Sequence, residues 1–476
     1  MTLSRDIAAT LQPGFVGAQV PDWVRSAGAD GLVSVCLYGD NTGPGGGLAE
    51  VCRALAQAAP GLLLAVDEEG GDVTRLHYPQ GSTTVGNALL GRLGSVETTL
   101  AVATAIGREV RGLGIALNLA PVVDVGSNPD NPVIGVRSFG SDPQDVARHT
   151  AAWIRGLQST GVAACAKHFP GHGDTVVDSH HGLPTVDATV EVLRARELVP
   201  FAAAVAAGVD CVMTSHLVVP SVDPERPATF SPRILSLLRE DLGFTGVIVS
   251  DALDMAGASA DCGIPEAAVR ALAAGVDLLC LGSATSPQRY AEVRDAVHAA
   301  VETGRLPAAR VAQAAGRVRA LAAGRTVAEL LDVQAATGSA HGGPTAAEPT
   351  LAEVAQAFRI GGSVAGFVAD PAPLAIVQVD SATHLAAGQV AWGPAALGLD
   401  LPLVDVAAGA KVAVVARGLV AGHPAYDVVD ALTAAGHRTI LVESGWPRRE
   451  ADIVTFGGAP VVARALVALL TGQVRR

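Results

Sequence analysis

A chain of 476 residues exceeds one ordinary domain, although a barrel alone can use more than half of that length. Its 33 Lys and Arg against 46 Asp and Glu give a net charge of −13, which argues against nucleic acid or an anionic membrane as the main partner. The opening MTLSRDIAATLQPGFVG has no basic run ahead of an apolar core, no apolar run reaches the roughly 18 residues of a membrane span, and the six cysteines form no CxxC pair. The expectation is a cytoplasmic, disulfide-free protein.

Eight short apolar runs follow in order: GFVGAQV (14–20), GLVSVCLYG (31–39), LLLAVDEEG (62–70), ALNLAPVVDV (116–125), GVAACAKHF (161–169), VDCVMTSHLVV (209–219), GVIVSDAL (246–253) and VDLLCLG (276–282). Continuous apolar runs of this length suit parallel strands buried on both faces. Amphipathic stretches such as LAEVCRALAQAA (48–59) and ELVPFAAAVAAG (197–208) lie between them. Eight strands alternating with helices predict an α/β fold, a (β/α)8 TIM barrel over 1–332. A doubly wound sheet is the alternative, but no GxGxxG joins a strand to a helix. A linker is expected at 333–350, where QAATGSAHGGPTAAEPT is small and turn-rich. The runs LAIVQVD (374–380), KVAVVARG (411–418), TILVESG (439–445) and DIVTFGG (452–458), with a helix over 459–471, predict a smaller three-layer α/β domain over 351–476.

A barrel places its chemistry at the C-terminal ends of its strands. The polar residues expected there are Asp67, Glu68, Glu69, Asp124, Lys167, His168, His216, Ser250 and Asp251. One segment stands out among them. KHFPGHGDTVVDSHHGLP (167–184) holds four of the 12 histidines, His168, His172, His180 and His181, and one of only two lysines, the other being Lys411. A metal site on His168 and His172 is disfavoured, because Pro170 and Gly171 break the helix that would align them. A polar loop with capping histidines is the plainer reading. The acid–base reading rests on Asp178-Ser179-His180, whose spacing lets a turn fold the carboxylate onto the imidazole and stabilise its charged form. Asp251 ends the seventh strand, and its plainer role is a helix N-cap. A carboxylate and an acid across a barrel mouth is the layout of a retaining glycosidase.

These residues resemble glycoside hydrolase family 3, in particular its bacterial β-N-acetylglucosaminidases (β-N-acetylhexosaminidases). The similar segments are VDEEGGDVTRL (66–76), LNLAPVVDV (117–125), IGVRSFG (134–140), KHFPGHGDTVVDSHHGLP (167–184) and GVIVSDALDM (246–255), in the family's order. The resemblance implies Asp251 as nucleophile and His180, paired with Asp178, as general acid/base. It implies Asp67, Arg75, Arg137, Lys167 and His168 as the residues gripping the terminal sugar. Gly171 and Gly173 are expected to let the His180 end move as a lid, and His172 and His181 to be solvated. Asp72 stands where many members carry a basic residue, which would alter contacts on the aglycone side.

The implied activity is release of terminal β-linked GlcNAc from muropeptide-type aminosugar glycosides, within peptidoglycan recycling, with no metal and no cofactor. A phosphorylase is the alternative, because a histidine does not repel phosphate as an ionised carboxylate would. Phosphate would then be a second small-molecule partner and GlcNAc 1-phosphate the product. A β-glucosidase or β-xylosidase is disfavoured by the histidine loop, and a non-catalytic sugar-binding barrel by the presence of both acid and nucleophile. The second domain is expected to serve packing or a subsite.

Overall fold

The computed structural model describes residues 2–42, 47–179, 182–337, 349–379 and 387–474. Eight parallel strands form its first body: β1 (Leu11–Gln12), β2 (Ser34–Leu37), β3 (Leu63–Val66), β4 (Leu117–Asn118), β5 (Ala163–Phe169), β6 (Cys211–Thr214), β7 (Val247–Val249) and β8 (Leu279–Cys280). Strands β2 to β7 pair in sequence order, and β1 pairs with β8. The ring closes through a parallel bridge from Val249 to Leu278 and a hydrogen bond of 3.0 Å from Cys36 N to Pro13 O. It is the expected (β/α)8 barrel.

The period of two along each strand explains why the sequence shows unbroken apolar runs. Leu63, Ala65, Ala163, Cys165, Cys211, Met213, Val247 and Val249 pack together inside the ring. Their neighbours Leu64, Val66, Ala164, Ala166, Val212 and Ile248 pack outward with the helices. Both sets are buried, so neither face needs polar residues. Cys36, Cys165 and Cys211 fill the interior as small apolar side chains.

Two expected strands are corrected. The first strand is not 14–20 but Leu11–Gln12, because Pro13 has no N–H to continue the ladder. Residues 13–21 form irregular backbone, with Gly17 at φ 86°. The fourth is short for the same reason. Pro121 interrupts it, and pairing resumes only at the Val122–Lys167 bridge.

The second body is a five-stranded sheet in the order β10-β11-β12-β13-β9, with β9 (Arg359–Ile360), β10 (Leu374–Gln378), β11 (Lys411–Ala416), β12 (Arg438–Glu443) and β13 (Ile453–Val454). Only β9 is antiparallel. The closing helix Pro460–Leu470 is buried along most of its length. Lys411 caps the helix Ser363–Ala369, its ammonium donating to Phe367 O, Val368 O and Asp370 O at 2.7–3.1 Å. The two bodies meet through specific bonds. Gly458 N donates to Asp72 Oδ1 at 2.8 Å, Gln389 N to Tyr78 Oη at 3.1 Å and Ala391 N to Pro79 O at 3.0 Å. The Arg92 guanidinium covers the Phe456 ring at 4.2 Å. Asp72 thus sits on the interdomain contact. No helix among the described residues is long and apolar enough to cross a membrane.

Candidate active site

A cleft of about 300 Å3 opens at the C-terminal ends of the barrel strands, near the lower limit of small-molecule sites. The end of β5 supplies Lys167 and His168, joined by a cis peptide. The Lys167 ammonium bridges Asp67 Oδ1 at 2.6 Å and Glu69 Oε1 at 2.7 Å, both beyond β3. Arg137, from the turn Gly135–Arg137, grips both oxygens of Glu69 at 2.8 and 2.9 Å. Such a two-pronged contact suits the planar guanidinium, while the point charge of Lys serves two separate carboxylates.

These side chains are buried, so their charges depend on one another. Burial pushes the Glu69 carboxyl up, but Arg137 and Lys167 outweigh it and hold it well below the usual carboxylate range. Burial likewise disfavours the Lys167 ammonium, yet Asp67 and Glu69 raise it above its ordinary value. Glu69, Lys167 and Arg137 thus keep their charges at neutral pH, with fixed donors and acceptors facing the cleft.

His168 completes the set. Its Nδ1 lies 2.7 Å from Asp124 Oδ2, and its Nε2 lies 3.5 Å from Arg137 Nη2. Asp124 also accepts the His172 N–H at 2.7 Å, so one buried carboxylate on the loop after β4 positions two residues of the histidine segment. Arg75 lines the cleft on a loop that Glu68 clamps, accepting from Thr74 Oγ1 and from the N–H groups of Arg75 and Leu76 at 2.8–3.0 Å. Asp251 follows β7 and lines the cleft half-buried, accepting from Ala252 N at 2.8 Å. Among the described residues no cluster of three or more His, Cys, Asp or Glu could hold a metal ion.

Asp67, Arg75, Arg137, Lys167, His168 and Asp251 therefore share one cleft. His180 and His181 lie outside the described residues. Asp178 and Ser179 lead up to them, and Ser179 is tied at both ends. Its hydroxyl meets His172 Nε2 at 3.1 Å, and its carbonyl accepts from Gly257 N at 3.2 Å, six residues beyond Asp251.

The expectation that His172 is solvated is corrected. It is 2 % exposed, with Nδ1 2.8 Å from Thr175 Oγ1. Burial lowers its imidazole to about 4, so it is a neutral brace. Gly171 and Gly173 are both closely approached by neighbouring groups. A Cβ on Gly173 would lie 1.7 Å from Val125 O, and one on Gly171 would lie 2.8 Å from the Glu197 side chain. Both glycines permit close packing. Asn131 reinforces this by donating to His172 O at 2.9 Å and Gly173 O at 3.1 Å.

The strand-end residues left over have structural partners. His216 Nε2 holds Ala252 O at 3.0 Å, and Ser250 Oγ accepts from Cys280 N at 3.0 Å, which fixes the backbone on either side of Asp251.

The family model described as Glycosyl hydrolase family 3 N terminal domain matches residues 27–321. The chain belongs to glycoside hydrolase family 3. Relatives that match it are named β-hexosaminidases. "Beta-hexosaminidase A" of Pseudoalteromonas piscicida is 38% identical over 281 residues, 55% of this chain and 47% of that protein, so the chain spans about half of that relative's length. "Beta-hexosaminidase" of Stenotrophomonas maltophilia strain K279a is 39% identical over 271 residues, 55% of this chain and 78% of that protein. The solved family 3 β-N-acetylglucosaminidase of Paenibacillus sp. str. FPU-7 superposes with a TM-score of 0.85 at 31% identity, covering 100% of this chain and 97% of that one. Both bodies of this family 3 chain thus have a counterpart in one solved relative.

Several cleft residues of the family 3 site carried no assigned role in the sequence. Glu69 and Asp124 were visible only as polar strand ends. Tyr38 and Cys280 also line the cleft, with Tyr38 Oη 3.3 Å from Cys280 Sγ. Burial pushes the Cys280 thiol up to about 12 and the Tyr38 hydroxyl well above its usual value, so both stay neutral. Asp254 is a further lining carboxylate.

Proposed function

We propose that this family 3 enzyme is a retaining exo-β-N-acetylglucosaminidase that releases terminal β-linked GlcNAc from muropeptide-type glycosides. The observation that carries the reading is the charged network Asp67–Lys167–Glu69–Arg137, with His168 held from behind by Asp124, lining the same small cleft as Asp251. Its fixed donors and acceptors suit the hydroxyl and acetamido groups of one terminal sugar.

The chemistry runs in two displacements. The Asp251 carboxylate attacks the anomeric carbon as the bond to the leaving oxygen breaks, and His180 gives that oxygen its proton. A water then surrenders a proton to His180 and attacks the same carbon, freeing Asp251. Two inversions retain configuration. Asp178 orients His180 and stabilises the imidazolium that starts the first step and is restored by the second. The double tether of Ser179 supports this assignment, since it ties the residue before His180 to the segment following Asp251. The free thiols, most of them buried, suit a cytoplasmic setting.

Product analysis on p-nitrophenyl β-N-acetylglucosaminide, with and without millimolar phosphate, tests the reading. Free GlcNAc at a phosphate-independent rate is expected. GlcNAc 1-phosphate at a rate rising with phosphate would replace the hydrolase with a phosphorylase using the same residues. No p-nitrophenol in either case would overturn the substrate.

A further inference from the structure

Beneath the histidine segment lies a buried acid that the two displacements do not use. Glu197 ends the wide turn Leu193–Glu197, where Leu198 N donates to the Leu193 carbonyl instead of to the one a turn of ordinary width would offer. Widened turns of this kind are frequent at functional sites. Here the turn puts the Glu197 side chain, 0 % exposed, directly under Gly171. A Cβ on Gly171 would lie 2.8 Å from Glu197 Oε2, and that oxygen has no hydrogen-bond partner among the described residues.

The charges around the acid do not balance. From its own turn, Arg196 Nε meets Glu197 Oε1 at 2.5 Å, but the same guanidinium also serves Asp174 of the histidine segment at 2.6 Å. Asp124 acts on Glu197 from the loop after β4, and His172, kept neutral by burial, adds no positive charge. The helix Leu198–Ala206 that follows carries no charged side chain. Three carboxyl groups thus share one cation, itself 25 % exposed to water. Burial pushes the Glu197 carboxyl up to about 7, with Arg196 working against it and Asp124 and Asp174 adding to it.

The uncharged group is a packed floor for Gly171. Ionised, it sets a negative charge with an unpaired oxygen against Asp124, the carboxylate that accepts the N–H groups of His168 at 3.3 Å and His172 at 2.7 Å. His172 in turn meets Ser179 Oγ at 3.1 Å, one residue before His180. Resting on the proposed exo-glycosidase activity, we infer that Glu197 is a positioning residue for that reaction: its neutral carboxyl seats the histidine segment, and its ionisation unseats the residues leading to His180. The seat is complete below the ordinary carboxylate range and is lost as pH rises through about 7.

The full chain is assayed on p-nitrophenyl β-N-acetylglucosaminide at about pH 6 and about pH 8, as wild type and as Glu197→Gln, a neutral side chain of the same shape. The ratio of kcat at the higher pH to kcat at the lower rises roughly threefold or more in the variant, with KM nearly unchanged. Ionisation of His180 acts on both proteins alike and drops out of the comparison. A purely structural role changes kcat by one factor at both pH values, so an equal ratio in the two proteins overturns the inference. Should the variant fold poorly, the wild type supplies a second measurement. Hydrogen exchange at the amides of 171–179, corrected for the intrinsic effect of pH, shows protection that falls over the same interval while that of β5 holds. Unchanged protection overturns the inference as well. If the wild type releases no p-nitrophenol, the exchange result still decides whether Glu197 seats the segment, and the glycosidase reading alone falls.

Discussion

Lys167 is the single cation shared by buried Glu69 and half-buried Asp67, and that arrangement dictates what its removal does. Lys167→Met leaves Asp67 with no ammonium and Glu69 with Arg137 alone. Breaking a buried pair in this way costs about 3–5 kcal/mol, read as a fall in the denaturant midpoint, together with loss of turnover. Lys167→Arg does not restore activity, because a planar fork cannot sit between two carboxylates only 2.6 and 2.7 Å from one nitrogen. Asp124 makes a second residue-scale case. Asp124→Asn preserves shape but removes the charge that fixes the His168 ring, so kcat/KM falls by a factor of about 5 to 150, the equivalent of roughly 1–3 kcal/mol for one lost charged contact. If Asp124→Asn left kcat/KM intact, His168 would not depend on it for orientation. The pair also shows what a sequence withholds. His168 stands in a conspicuous run, while Asp124 is one carboxylate among several at strand ends. Nothing in the string says that the two meet across β4 and β5.

At the scale of elements, the strands were legible and the segment that crosses them was not. Residues buried on two faces write themselves as apolar runs, so β2, β3, β5, β6 and β7 fall inside the expected spans. Prolines cut β1 and β4 short. The histidine segment reads as a hinged loop, because glycine permits motion and close approach alike, and the sequence does not show that a Cβ on Gly173 would lie 1.7 Å from Val125 O. Gly173→Ala is therefore expected to lower kcat on the p-nitrophenyl glycoside by displacing His172 and Ser179, with a smaller effect on global stability. Glu197, in the wide helical turn Leu193–Glu197, packs against Gly171 from below, and its neighbour Arg196 reaches Asp174 at 2.6 Å. Burial raises the Glu197 carboxyl from 4.5 to about 7. A carboxyl that holds its proton more tightly when folded favours the fold below its unfolded value and loses that contribution as pH rises towards 7. A displacement of this size amounts to roughly 3 kcal/mol. Glu197→Gln, neutral throughout, is expected to flatten the decline in melting temperature between about pH 5 and pH 8. An unaltered slope would mean that Glu197 is already ionised beneath the loop.

For the molecule as a whole, the decisive question is how the second body is fastened to the barrel. Its sheet was readable from four apolar runs, but the edge strand β9, two residues long and half exposed, had no pattern to announce it. The contact between the bodies was invisible for a different reason. It depends on Asp72, which in the sequence was only a departure from the family's basic residue. In the fold burial pushes its carboxyl above the usual value, and the Arg417 guanidinium and the Gly458 N–H, which it accepts, offset part of that. A basic residue at position 72 in this chain would meet Arg417 as a like charge and leave Gly458 N unpaired. Asp72→Lys is thus expected to weaken the interdomain contact by about 1–3 kcal/mol, the cost of an unsatisfied buried donor. Two bodies with separate cores then unfold less cooperatively, so scanning calorimetry should show the heat-absorption peak broaden or divide. Pairing Asp72→Lys with Arg417→Glu restores opposite charges across the contact and should recover much of the lost cooperativity. Strict additivity of the two substitutions would mean that Asp72 and Arg417 act independently, and the fastening would have to be sought in Tyr78, Pro79 and Arg92 instead.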